Sequence, residues 1–115
     1  MAAVEASCVC GAVRLQVASA PAVVTECNCE LCRRYGALWA YYSPKDVEKP
    51  TGVTDRFLRG RKRLEFHRCK TCGCVTHWMA IDKEYNRMGV NARLLPPEVL
   101  ARARVELCDG ASWRD

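Results

Sequence analysis

Eight of the nine cysteines in this 115-residue chain fall in three short runs. They are Cys8-x-Cys10-Gly11, Cys27-x-Cys29-x2-Cys32 and Cys69-x2-Cys72-Gly73-Cys74. A Cys-x2-Cys spacing lets one tight turn aim two sulfurs at a single ion, each about 2.3 Å from zinc. Glycine after the second cysteine permits the positive backbone φ that such turns often need, and Gly11 and Gly73 fit that role. One such pair is ambiguous between metal binding and redox chemistry. Three runs in a chain this short point to zinc.

Spacing alone leaves the partition open. Cys8, Cys10, Cys69 and Cys72 would close a four-thiolate site and staple the first strand to the central hairpin. Cys27, Cys29 and Cys32 would then hold a second ion with one tetrahedral position open, the mark of a catalytic zinc. Alternatively, Cys29-x2-Cys32 and Cys69-x2-Cys72 would form one zinc-ribbon site, leaving Cys8, Cys10 and Cys27 as ordinary thiols. Cys74, His67 or His77 would also serve as a fourth ligand to the middle cluster and make it structural.

Bulk properties favour reduced thiols that are available to metal. Met1 to Ser7 contains Glu5 and lacks a basic stretch leading into an apolar one, so no signal peptide is expected. No apolar run approaches the roughly 20 residues that span a bilayer. An odd cysteine count cannot be satisfied by a closed set of intramolecular disulfides. A cytoplasmic zinc protein without membrane association is the expectation, with residues 1–115 forming a single domain. The formal net charge is +5. Seven thiolates and two zinc ions would lower it to about +2, so a nucleic-acid partner is not expected.

The elements that must position these cysteines are short and punctuated by turns, as in all-β proteins. Ala12 to Ala18 alternates like a half-buried strand, and Val23 to Glu26 forms a second strand running into the middle cysteines. Glu30 to Tyr35 makes one helical turn that Gly36 stops. Leu38 to Tyr42 is the strongest β segment, and Lys45 to Thr54 is a polar surface loop. Phe57 to Arg59 and Leu64 to His67 form a hairpin around Gly60-Arg61-Lys62. Val75 to Ile81 and Met88 to Leu94 are two more strands. Pro96 to Arg102 is a short helix with proline in its first turn, and Arg104 to Leu107 a final strand. The pattern predicts a mainly β domain of short, mostly antiparallel strands with one or two helical turns.

Four stretches, taken in order, resemble the successive signatures of the glutathione-dependent formaldehyde-activating enzyme family. They are CVCGAVRLQV (Cys8 to Val17), CNCELCRRYGALWAYY (Cys27 to Tyr42), HRCKTCGC (His67 to Cys74) and GVNARLL (Gly89 to Leu95). The resemblance implies a β-tent zinc fold, also used by methionine sulfoxide reductase B. It implies a structural zinc on Cys8, Cys10, Cys69 and Cys72, and a catalytic zinc on Cys27, Cys29 and Cys32. The implied activity is that of a carbon–sulfur lyase, which adds glutathione to formaldehyde to give S-(hydroxymethyl)glutathione.

An open zinc suits that chemistry: it would lower the pKa of a thiol, polarise an aldehyde oxygen or orient both reactants. Three thiolates and one zinc carry about −1 charge, so nearby cations would help bind an anionic ligand. Arg33 and Arg34, directly after Cys32, are the candidates for that work.

His67 and His77 are candidate ligands or proton carriers, although strand histidines are more often hydrogen-bonded core. Cys74 reads as a small buried hydrophobe and Cys108 as a plain free thiol. Trp39, Tyr41, Tyr42 and Trp78 are core residues or a pocket lining. Asn91 and Arg93 would support the site from behind, and Arg59 to Arg63 reads as a solvated hairpin tip. Two other functional classes fit the composition. One is a non-catalytic zinc-stabilised binding module. The other is a thiol redox protein, which would need a cysteine outside the metal set, Cys74 or Cys108.

Overall fold

The computed structural model describes residues 3–59 and 63–112. Nine strands and two short helices follow one another in chain order. They are β1 (Val4–Ser7), β2 (Arg14–Val17), β3 (Val23–Cys27), α1 (Glu30–Tyr35), β4 (Trp39–Tyr42), β5 (Thr54–Leu58), β6 (Leu64–Cys69), β7 (Val75–Ala80), β8 (Met88–Asn91), α2 (Pro97–Ala101) and β9 (Arg104–Cys108). The fold is mainly β, as the turn-punctuated sequence predicts. β1 and β2 form a separate two-stranded sheet, and the other strands form one sheet ordered β5-β6-β7-β8-β4-β3-β9.

Alternation along the strands divides the core between the two faces of the large sheet. On one face Ala40, Met88 and Val90 pack with Ala6, Leu15 and Val17 of the small sheet. On the other face Trp39, Phe66 and Trp78 pack beneath Cys32. Trp39 and Phe66 meet tilted, with ring centroids 6.0 Å apart, and Tyr41 meets Trp78 edge-on at 6.1 Å.

Three details differ from the sequence reading. Val4–Ser7 is a strand, paired antiparallel with β2, although four residues containing a glutamate give little β pattern. β8 ends at Asn91, not Leu94. The Asn91 side chain accepts from Arg93 N at 3.2 Å and turns Ala92–Leu94 into a 3₁₀ turn. β9 joins the sheet parallel to β3, because the chain crosses over through α2 before returning to that edge. The β5–β6 hairpin is antiparallel as expected, while its tip, Gly60-Arg61-Lys62, lies outside the described residues.

Candidate metal centres

The sulfurs of Cys8, Cys10, Cys69 and Cys72 all lie within 4.8 Å of one another. Cys8 and Cys10 come from the turn between β1 and β2; Cys69 ends β6, and Cys72 lies in the turn that follows. In each turn a backbone bond closes the loop under the sulfurs: Gly11 N donates to Cys8 O at 3.1 Å, and Gly73 N to Cys69 O at 2.9 Å. Gly11 and Gly73 both sit at φ 83°, a conformation that disfavours any residue with a Cβ. Cys8 Sγ and Cys69 Sγ each lie 3.6 Å from Cys10 Sγ. That is far beyond a disulfide bond. It matches the roughly 3.8 Å edge of a tetrahedron with 2.3 Å metal–sulfur bonds. Backbone N–H groups of Cys74 and Cys10 hold the Cys72 thiol down to about 5, ready to ligate as thiolate. Donor set and spacing both fit a closed metal site.

Cys27, Cys29 and Cys32 form a second group whose sulfurs also lie within 4.8 Å of one another. Cys27 ends β3, and Cys29 caps α1, its Sγ accepting from Cys32 N at 3.2 Å. Cys32 lies buried inside α1, where its Sγ accepts from Trp39 Nε1 at 3.3 Å. Burial raises the Cys27 thiol and pushes that of Cys32 up to about 12. Burial also acts on Cys29, but the Cys32 backbone N–H and the neighbouring thiols outweigh it and lower that thiol. Three sulfurs so close resist joint ionisation unless a cation sits among them. Among the described residues no His, Asp or Glu joins the trio.

Arg33 and Arg34 lie on the exposed last turn of α1. Arg34 Nη1 donates back to Glu30 O at 2.8 Å. Among the described residues, the guanidinium that meets the trio belongs to Arg59, whose Nη1 is 3.7 Å from Cys29 Sγ and whose Nη2 pairs with Glu30 at 3.3 Å. The sequence pattern predicts Arg59 in a solvated hairpin tip, whereas its guanidinium reaches both Cys29 and Glu30 of the site. Asn91 and Arg93 bond the backbone of neighbouring segments and touch none of the three sulfurs. Asn91 Nδ2 donates to Val75 O at 2.8 Å, and Arg93 Nε to Gly36 O at 2.6 Å, tying the end of α1 to the turn after β8.

The C-terminal segment also contributes, which spacing gave no reason to expect. Asn28 donates to Asp109 Oδ1 at 3.0 Å and accepts from Ala111 N at 2.9 Å. This clasp seats buried Gly110 against the trio, where a Cβ would lie 2.4 Å from Cys27 Sγ.

The remaining candidates lie elsewhere. His67 and His77 stack at 4.3 Å between centroids, on the face of the sheet opposite the trio. Thr54 Oγ1 bonds His67 Nδ1 at 2.8 Å, Glu65 accepts from His67 Nε2 at 3.1 Å, and Thr76 Oγ1 bonds His77 Nδ1 at 2.7 Å. Both histidines belong to the wall of a cavity with Val47, Met79 and Met88, not to the middle cluster. Cys74 is half-buried and packs beside Cys72 at the quartet, so neither it nor a histidine completes the trio.

Residues 3–107 match the sequence family described as glutathione-dependent formaldehyde-activating enzyme. The chain belongs to this family. No curated protein matches it. A crystal structure of a Rhodobacter sphaeroides protein from structural genomics superposes with a TM-score of 0.71 at 26% identity, covering 89% of this chain and 99% of that one. As a formaldehyde-activating family member, the chain carries two cysteine groups that could each hold a metal ion.

Proposed function

We propose that this family member is a zinc-dependent carbon–sulfur lyase that promotes addition of glutathione, or another small thiol, to formaldehyde or a related small aldehyde. Cys8, Cys10, Cys69 and Cys72 hold a structural zinc, and Cys27, Cys29 and Cys32 hold the catalytic one. The observation that carries the reading is the trio itself: three converging sulfurs supplied by β3 and α1, a donor set that leaves a tetrahedral ion one position for an outside ligand.

A zinc ion bound there would supply Lewis acidity, favouring the thiolate form of an incoming thiol or polarising the aldehyde oxygen. The protein's own groups tune the three sulfurs. Trp39 Nε1–H and Cys32 N–H donate to Cys32 Sγ and Cys29 Sγ, drawing off part of the thiolate charge. Arg59 offsets the net negative charge from the solvent side, and Arg33 and Arg34 add positive potential that attracts an anionic thiol. In the reaction a carbon–sulfur bond forms between thiol and carbonyl carbon, and the thiol proton ends on the former carbonyl oxygen.

The reaction rate tests the proposal. Zinc-loaded protein should form the adduct faster than the spontaneous reaction, and a Cys29→Ser variant should return the rate to the spontaneous value. Equal rates with and without the wild-type protein, across several aldehydes and thiols, would refute it.

A further inference from the structure

Cys108 is the first residue beyond the stretch matched by the family, and the fold sets it beside the trio. It ends β9 in parallel register with Cys27, the last residue of β3. In-register residues of parallel neighbours point to the same face, on strands about 4.8 Å apart. The pairing is locked just beyond its C-terminal end. Asn28 N donates to Cys108 O at 3.1 Å, and the Asn28 side chain grips Asp109 and Ala111 just beyond. Ser112 Oγ holds the other Asp109 oxygen at 2.6 Å. The sulfur of Cys108 is not among those that lie within 4.8 Å of one another in the trio, and its residue is half-buried. Rotation about its single χ1 bond swings that sulfur relative to Cys27 without moving the backbone.

We propose that Cys108 is a reserve fourth ligand of the trio's metal site, occupying the vacant position until a small-molecule thiol displaces it. The inference rests on the trio holding a metal ion. Exchange is balanced without any redox partner. The metal–sulfur bond to Cys108 breaks as one to the incoming thiol forms, and the thiol's proton passes to the Cys108 sulfur. Metal charge and sulfur count are the same before and after. A chain built this way protects its open site from water and stray anions while leaving it accessible to thiols, the ligand class able to replace a thiolate like for like.

Two measurements on the full chain test this. In the cobalt-substituted protein, Cys108→Ser should lose one thiolate's share of the sulfur-to-metal charge-transfer absorbance, and glutathione should restore it. The wild-type band should keep its intensity on adding glutathione. In the zinc-loaded wild type, a short pulse of N-ethylmaleimide followed by mass mapping should find Cys108 protected, then at least tenfold more reactive with glutathione present. Cys74 should show no such change. Identical cobalt spectra for wild type and Cys108→Ser, or Cys108 labelling that ignores glutathione, would overturn the inference. Cobalt stoichiometry in Cys29→Ser separates the two failures. If that variant binds one ion fewer than wild type, only the role of Cys108 falls. If it binds the same number, the trio holds no metal and the proposed function falls with it.

Discussion

At Gly110 a Cβ would lie 2.4 Å from Cys27 Sγ and 3.2 Å from Cys29 Cβ, so a single methyl group must push the trio apart. Overpacking of this kind costs about 1–3 kcal/mol. If that strain falls on the ligands, Gly110→Ala should weaken metal binding at the trio by about tenfold. Competition with a chromophoric chelator would measure it, with circular dichroism confirming an unchanged fold. Unchanged affinity would mean that the C-terminal clasp does not constrain the trio. The ligands themselves were legible in the sequence, because thiolate chemistry and Cys-x2-Cys spacing are local. Gly110 and Arg59 were not. Each reaches the trio through tertiary packing, Gly110 from more than 80 positions away and Arg59 across the β5–β6 hairpin. Arg33 and Arg34 look equivalent to Arg59 on paper, yet helix geometry turns them to solvent.

The β6–β7 hairpin carries a bulge between His67 and Arg68, with Thr76 as the extra residue of β7. Thr76 is fully buried and its hydroxyl bonds His77 Nδ1. His77 is 2% exposed, and burial, helped by the neighbouring His67, lowers its pKa to about 3. Unfolded, it would titrate near 6.5, so between about pH 6.5 and 3 the unfolded chain binds the extra proton. This hairpin therefore contributes full stability above pH 6.5 and loses up to about 1.4 kcal/mol per pH unit as pH falls through that window. His77→Gln should flatten the slope between pH 6.5 and 5, measured by urea unfolding of the zinc-loaded proteins. An identical slope would show that His77 gains a proton as readily folded as unfolded. For these strands, element type was legible in residue pattern, and the relations between elements were not. Alternation exposed β2, and aromatics exposed β4. The parallel entry of β9 and the placement of His77 on the face away from the trio depend on crossover and pleat, which periodicity does not encode.

Across the whole molecule, the quartet brings the turn of the β1–β2 sheet against the end of β6, two parts also linked by the apolar contacts of one core face and by backbone bonds from β2 to residues 46–51. A structural zinc contributes about 10 kcal/mol in small metal domains, comparable to the whole stability of a typical fold. The trio instead sits on the opposite face, on β3 and α1, with the second aromatic core as its floor. The two centres are thus predicted to separate: one holds the fold, the other serves it with chemistry. Metal analysis of purified wild type, Cys69→Ser and Cys29→Ser proteins, paired with circular dichroism, tests this most directly. Two zinc ions are expected in the wild type, one in a folded Cys29→Ser protein, and loss of cooperative folding in Cys69→Ser. A single ion in the wild type, or two retained by Cys29→Ser, would contradict it.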